Sequence, residues 1–369
     1  MAEPFKNWIN PGSIRGLGEQ IRRVYPGFPL DAYQAAATDG LEALELKPRV
    51  AQVADALRDA LPEAWPDALQ VLVDALPDPM EDTEAVSSGF PLWPVLHCVE
   101  VHGLGHPAAS VDALHPMTKR FSAEFAIRPY LDQHPDVAWG RVARWVTDPD
   151  VHVRRLCSEG TRPRLPWGIR LRDSVADPSR GLAVIERLVD DPEAYVRTSV
   201  ANHLNDISKD HPELTVEVAG RWLAGGTEGR TWIVNRGLRT LVKQGHEGAL
   251  SLLGFGAPRA RLEAIGVSPD PAEIGAKVEL SATVLADADQ RYLVDWIVRA
   301  PRADGSLGHR VVKGKQVDVT KGQTVALTQR LSLKPVTTRV TRPGRWEVAI
   351  QVNGEVLGET AFEVVGEPA

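Results

Sequence analysis

Two spacings of apolar residues divide this chain. From about residue 12 to 256, apolar positions recur every three or four residues and are interrupted by proline or glycine. That is the pattern of short amphipathic helices. In VAQVADALRDAL (50–61), Val50, Val53, Ala54, Leu57 and Leu61 share one face, and Pro62 stops the helix. PDALQVLVDALPDP repeats the design, which predicts stacked antiparallel helix pairs joined by proline-containing turns. After Gly256 the period becomes two. KVELSATVLA (277–286) points Val278, Leu280, Ala282 and Val284 one way, and LVDWIVRA, QTVALTQRLSL, GRWEVAIQVN and ETAFEVV follow, with an Asn353-Gly354 turn between the last two. About seven short strands in roughly 100 residues predict an immunoglobulin-like β-sandwich, in which Trp296 and Trp346 fill the core. The expected organisation is α then β: a helical domain over 1–257 and a sandwich over 258–369, the latter an accessory binding module whose fold does not identify its ligand.

The helical part contains a degenerate repeat. DPDVHVRRLCSEG (148–160) aligns with DPEAYVRTSVANH (191–203), matching Asp-Pro, then Val-Arg, then Glu159 opposite Asn202. GRTWIVNRGL (229–238) continues the series with Arg230 and Asn235, and TKRFSAEFAI (118–127) precedes it with Lys119 and Glu124. Each unit carries a basic residue and, five positions on, a carboxylate or amide. Spacings of about 33 to 43 residues fall in the range of HEAT-like repeats, whose helix pairs stack into a solenoid. The matched polar positions are expected to line one concave surface, because a structural repeat alone asks only for apolar positions.

Charge sharpens this picture by its distribution more than by its sum of -7. Residues 1–100 hold 7 Lys/Arg against 16 Asp/Glu, whereas 101–258 and 259–369 are close to neutral. Within 151–172, Arg154, Arg155, Arg162, Arg164, Arg170 and Arg172 face Glu159 alone, a local net of +5. Arginine without lysine suits bidentate phosphate recognition, and Pro163 and Pro166 stiffen the loop that would present it. The competing reading is a solvated helix end with ion pairs. Glu159 likewise is either an ion-pair partner of Arg155 and Arg162 or a carboxylate placed to meet something cationic. Trp167 offers an aromatic face to a cation, or else packs in the core or as a hydrophobic staple. Glu124 has Arg120 and Arg128 as candidate ion-pair partners at four residues either side, and Asn202, Asn205, Asp206, Lys209 and Asp210 add a second polar sector on the 199–212 segment.

Several chemistries find no support. Cys98, His102 and His106 have the spacing of a metal-binding helix face, but Gly103, Gly105 and Pro107 break that helix and no fourth ligand is evident, so no metal is expected. The GLGH run lacks the rest of a dinucleotide fingerprint, and no Gly-x-Ser-x-Gly elbow occurs. No cofactor is expected. Two distant cysteines and the lack of a membrane-length apolar run or a leader pattern in MAEPFKNWIN lead to the expectation of a cytoplasmic protein.

The segments PMTKRFSAEFAIRPYL, VRRLCSEGTRPRLPW and VANHLNDISKDHP resemble the signature regions of the HEAT-like-repeat alkylbase DNA glycosylases, specifically their AlkC branch, part of which also carries an immunoglobulin-like domain. The resemblance implies hydrolysis of the N-glycosidic bond of cationic N-alkylated bases such as 3-methyladenine and 3-methylcytosine, without the base being flipped into a deep pocket. It implies that Glu159 and Glu124 contact the lesion or its sugar, that Trp167 meets the deoxyribose or base, and that Asp206 helps to place water. Arg155, Arg162, Arg164 and Lys209 are then the expected DNA-backbone contacts. The implied partner is alkylated double-stranded DNA, bound by a monomer with no membrane involvement. A noncatalytic helical scaffold with a protein or DNA in its groove is the alternative.

Overall fold

The periodicity found in the sequence becomes helix where it was expected. The computed structural model describes residues 4–80, 82–83, 85–336 and 340–367. Leu46–Ala60 is a helix burying Val50, Val53, Ala54 and Leu57, and Trp65–Asp74 buries Trp65, Ala68, Leu69 and Leu72 at helical spacing. The three core units of the repeat pack in order: Ala194–Ile207 lies against both Val151–Glu159 and Glu228–Gly237. The TKRFSAEFAI unit differs. Its helix ends at Thr118, and the next starts at Arg128 with Pro129 in its first turn, so Glu124 sits on a non-helical connection. Proline is tolerated in the first helical turn because no backbone donor is needed there, but a helix running through it would lose a hydrogen bond.

The repeated basic residue has a structural task. Arg154 donates to the carbonyls of Asp148 and Pro149 in its own turn (3.0 and 2.9 Å) and to both carboxylate oxygens of Asp191 in the next unit (2.6 and 3.2 Å). Arg197 repeats the first half on the carbonyls of Asp191 and Pro192, both at 2.6 Å. Lys119 reaches Asp150 at 3.9 Å, and Arg230 pairs with Asp190. Asp148 and Asp191 also accept from the backbone N–H two residues on, each at 2.9 Å. The Asp-Pro and Val-Arg elements of the repeat thus fasten turns to one another. Asn235, which matches Glu159 in the repeat, is exposed and donates to the carbonyl of Thr231 on its own helix.

The strands form two facing sheets. β1 (Ala260–Ser268), β3 (Lys277–Ala286) and β6 (Thr324–Ser332) make an antiparallel sheet in the order β1-β3-β6. The second has the order β2-β8-β7-β4-β5, built from β2 (Ala272–Glu273), β4 (Gln290–Pro301), β5 (Leu307–Val319), β7 (Gly344–Val352) and β8 (Glu355–Val365). The predicted inward set Val278, Leu280, Ala282 and Val284 is buried, with Trp296 and Trp346 among the largest enclosed side chains. Asn353 and Gly354 both have positive φ (46° and 88°), matching the twist a two-residue hairpin requires.

The chain forms two compact units, residues 1–211 with 222–237, and residues 212–221 with 238–369. Helix gives way to strand between Leu252 and Ala260, yet the helices Arg239–Gln244 and Glu247–Leu252 belong with the sandwich. Leu250, Phe255 and Leu293 share a small core there, and the Asn353 side chain donates to the Gly256 carbonyl at 2.8 Å. No helix among the described residues is long and apolar enough to cross a membrane.

Candidate DNA-lesion site

Four of the six arginines between 154 and 172 meet carboxylates, and all but one of those carboxylates lie far away in sequence. Arg154 binds Asp191, Arg155 binds Glu124, Arg162 binds both Glu159 and Asp206, and Arg164 binds Asp210. Much of the local excess of positive charge is therefore matched through space, while Arg170 and Arg172 stay exposed. This alters the expectation for Arg162 most. Only 6% exposed, it spends Nε on Asp206 Oδ2 (2.8 Å) and a terminal nitrogen on Glu159 Oε1 (2.7 Å). Buried charges need such pairing, and a guanidinium held in this way is a bridge between carboxylates instead of an outward phosphate contact. Arg155 and Arg164 are also engaged, their side chains 16% and 24% exposed; Lys209, 39% exposed, is the most accessible of the four expected backbone contacts. Asp206 is 1% exposed, with one oxygen on Arg162 and the other accepting from Lys209 at 3.0 Å. Asp206 thus anchors Arg162 from a buried position, where water placement was expected.

Glu159 is the centre of this network. Asp150 caps the Val151–Glu159 helix by accepting from the N–H groups of His152 and Val153, and the helix delivers Glu159 at its last residue, 6% exposed. Ser199, forty residues away on the neighbouring helix, donates to Glu159 Oε2 at 2.6 Å, and Arg155 approaches Oε1 to 3.6 Å. Burial pushes the carboxyl pKa upward, but the charges of Arg155 and Arg162, with hydrogen bonds from Ser199 and Arg162, outweigh it and hold Glu159 below the ordinary glutamate value. Glu159 is therefore an anion at neutral pH in a low-dielectric setting, where its field is strong.

Above it lies a cleft of about 540 Å³ lined by Glu159, Glu124, Arg155, Tyr195, Phe125 and Trp167, among others. Glu124 accepts from Arg155 at 2.6 Å and from Ser122 at 2.8 Å. Its two candidate partners go elsewhere: Arg120 donates to the Pro77 and Pro116 carbonyls, and Arg128 to those of Gly160, Arg162 and Ile169. The Arg155 guanidinium sits 4.9 Å from the centre of the Tyr195 ring. Trp167 is 61% exposed, so the hydrophobic-staple reading fails. Its φ of +67° is unusual for an aromatic residue and needs support from its surroundings. Lys47 donates to its carbonyl, and the fully buried Arg128 straps the 160–169 loop. A Cβ on Gly168 would lie 3.0 Å from Arg128 Nε, so a glycine gives the strap its room.

Sequence reasoning singled out Glu159, Glu124, Arg155 and Trp167, which share this cleft. It missed Tyr195, Ser199 and the strap role of Arg128. Tyr195 had a signal, because it falls opposite His152 in the repeat, and the two rings pack edge to face at 5.7 Å. Ser199 had none, since its value depends on which carboxylate faces it. The Trp93–His102 helix ends at His102 and the next begins at Pro107, as the glycines required. Burial pushes the Cys98 thiol up to about 12.

Residues 120–218 of the helical-repeat body, which include Glu159 and Trp167, match the family described as DNA alkylation repair enzyme. Residues 261–366 match the family described as uncharacterised protein YhaZ, C-terminal Ig-like domain. The uncharacterized protein YhaZ of Bacillus subtilis is 35% identical over 97% of this chain and 99% of its own length. A solved structure of the Pseudomonas fluorescens alkylpurine DNA glycosylase AlkC, bound to DNA containing an abasic site analog, is 33% identical, covering 99% of this chain and 100% of that one with a TM-score of 0.88. The chain belongs to the AlkC branch of the HEAT-like-repeat DNA alkylation repair proteins, with a C-terminal immunoglobulin-like domain.

Proposed function

We propose that this protein is a DNA glycosylase that removes cationic N-alkylated bases, 3-methyladenine and 3-methylcytosine, from duplex DNA. The observation that carries the reading is Glu159, a nearly buried carboxylate kept ionised at the cleft that Trp167 borders. A positively charged base is a good leaving group. The C1′–N bond breaks with its electron pair passing to the base, which departs neutral. Glu159 opposes the positive charge left on the deoxyribose, water captures that centre, and the water's proton passes to solvent. Glu124 adds a second negative charge beside the lesion, and Trp167 meets the sugar or base through its ring face. Arg162 and Arg155 keep Glu159 ionised and oriented; Asp206 fixes Arg162. Lys209 and Arg164 are the proposed phosphate contacts, Arg164 by exchanging Asp210 for a phosphate. An open cleft asks for no deep pocket for an extruded base, so the lesion is processed while exposed.

The test is to incubate the full chain with methylated duplex and quantify the free 3-methyladenine and 3-methylcytosine released. Glu159→Gln should lower release by about 10²–10³-fold while DNA affinity is kept or slightly raised, since a charge that repels phosphate is gone. Release of neither base, or release indifferent to Glu159→Gln, would favour the noncatalytic scaffold.

A further inference from the structure

A second cleft backs onto the same aromatic wall. It has a volume of about 370 Å³ and is also lined by Trp93, Phe125 and Trp167, but neither Glu159 nor Glu124 reaches it. Trp93 and Phe125 stack with centroids 5.4 Å apart and planes 17° from parallel. Its other lining includes Ala51 and one polar pair, His97 Nδ1 and Glu100 Oε2, 2.9 Å apart. The one lysine on its rim, Lys47, donates to the Trp167 carbonyl. Ile169 beside Trp167 is 47% exposed, which extends the apolar rim.

This chemistry selects a ligand class. With Lys47 committed to a carbonyl and a carboxylate in the lining, an anion is disfavoured. Aromatic faces favour a planar ligand, and the His97–Glu100 pair, whose Nδ1 proton is already shared, leaves the carboxylate's remaining lone pairs to accept from a ring N–H or amino group at the edge of a nitrogen heterocycle. The volume is at the small end of ligand cavities, about 300–1,000 Å³. We propose that this second cleft is a nucleobase subsite, stacking a purine or pyrimidine ring on Trp167 and Phe125, the latter backed by the buried Trp93, with the ring edge toward His97 and Glu100. The choice of a nucleobase among heterocycles rests on the DNA-repair reading. Trp167 then presents its surroundings to two ligands: the nucleotide under repair on the Glu159 side and a free or unstacked base on the other.

The test is equilibrium dialysis of the full chain against adenine and against 3-methyladenine, without DNA. Binding near ~0.1 mM is expected for a ligand of this size. Ala51→Leu, which fills the cleft, and Glu100→Gln, which removes its charge while nearly keeping its shape, should each weaken it by about tenfold or more. Glu159→Gln should leave it within about threefold, as expected for a separate site. No binding of either base, or binding abolished by Glu159→Gln and indifferent to both cleft variants, would overturn the proposal. Repeating the variants with methylated duplex distinguishes the ligand's source. Weaker duplex binding by Ala51→Leu means that the ring comes from a DNA strand; unchanged duplex binding with lost inhibition by free base means that it is the released product. A chain that binds free base through this cleft yet releases none from methylated DNA would retain the subsite and lose the glycosylase reading.

Discussion

Replacing Arg128 by methionine removes the strap beneath Trp167, and its cost follows from what the guanidinium touches. Arg128 is 0% exposed and donates at 2.8 Å to the carbonyls of Gly160, Arg162 and Ile169. The first two lie in buried hydrogen bonds and would be left without this donor, at about 1–3 kcal/mol each; the Ile169 carbonyl, partly exposed, can turn to water at roughly 1 kcal/mol or less. Against this stands the cost of burying the charge. Burial first, and the nearby Arg162 second, bring the Arg128 pKa down to about 10 from 12.5, which corresponds to roughly 3 kcal/mol of strain that the substitution relieves. The net loss of stability should be about 2 kcal/mol, much less than the four broken hydrogen bonds to three carbonyls would suggest. The loop should loosen out of proportion to that figure. Equilibrium urea unfolding gives the first quantity, and hydrogen exchange of the amides of Gly168 and Leu171, which bond to Leu165 and Pro163 across the loop, gives the second. Base release should fall with the loosening, and Arg128→Lys should recover only part of it, because one ammonium cannot span three carbonyls. Unchanged exchange at Gly168 and Leu171 with full base release would refute the claim that Arg128 sets the loop.

Ser199→Ala should move the acid limb of base release upward, because it removes a hydrogen bond that helps to hold Glu159 ionised, while release at neutral pH changes little. A pH profile identical to that of the parent would make Ser199 a packing residue only. His203 is fully buried, and burial pushes its pKa down to about 4 from 6.5. The unfolded chain therefore binds a proton in that window that the folded chain does not, and stability should drop by roughly 3 kcal/mol as pH falls from 7 to 4 on account of this residue. Urea unfolding of His203→Gln across the same range should show a shallower dependence. Trp167→Gly should separate structure from function: glycine accepts the positive φ, so stability should hold or rise by up to about 1 kcal/mol, whereas base release should fall strongly. Release that survives this change would remove Trp167 from the site.

Much of the candidate site was legible because its members carry unusual chemistry for their neighbourhoods. Glu159 is alone among arginines, and Trp167 follows a proline-stiffened loop. The repeat also placed Tyr195 in reach of a reader who compared equivalent positions. What misled was local charge. Arg162 looked like a surface phosphate contact because its sequence neighbours are basic, yet Glu159 and Asp206 enclose it, the latter 44 residues away. The repeated basic positions were read as a polar lining, whereas Arg154 and Arg197 bind turn carbonyls and Arg154 also Asp191.

The sequence by itself determined where helical spacing gives way to strand spacing near Gly256 and which units repeat around Asp-Pro and Val-Arg, because hydrophobic spacing reports which face of an element leaves water; it did not show that the segment around Glu124 is non-helical. Tertiary structure decided the part of the site's electrostatics that comes from burial and from distant residues. Electrostatic energy depends on distance and burial through space, so the charge state of Glu159 is set by Arg155 and Arg162 nearby in the chain and by Ser199 on another helix, and the orientation of Trp167 by Arg128 and Lys47 on two more elements.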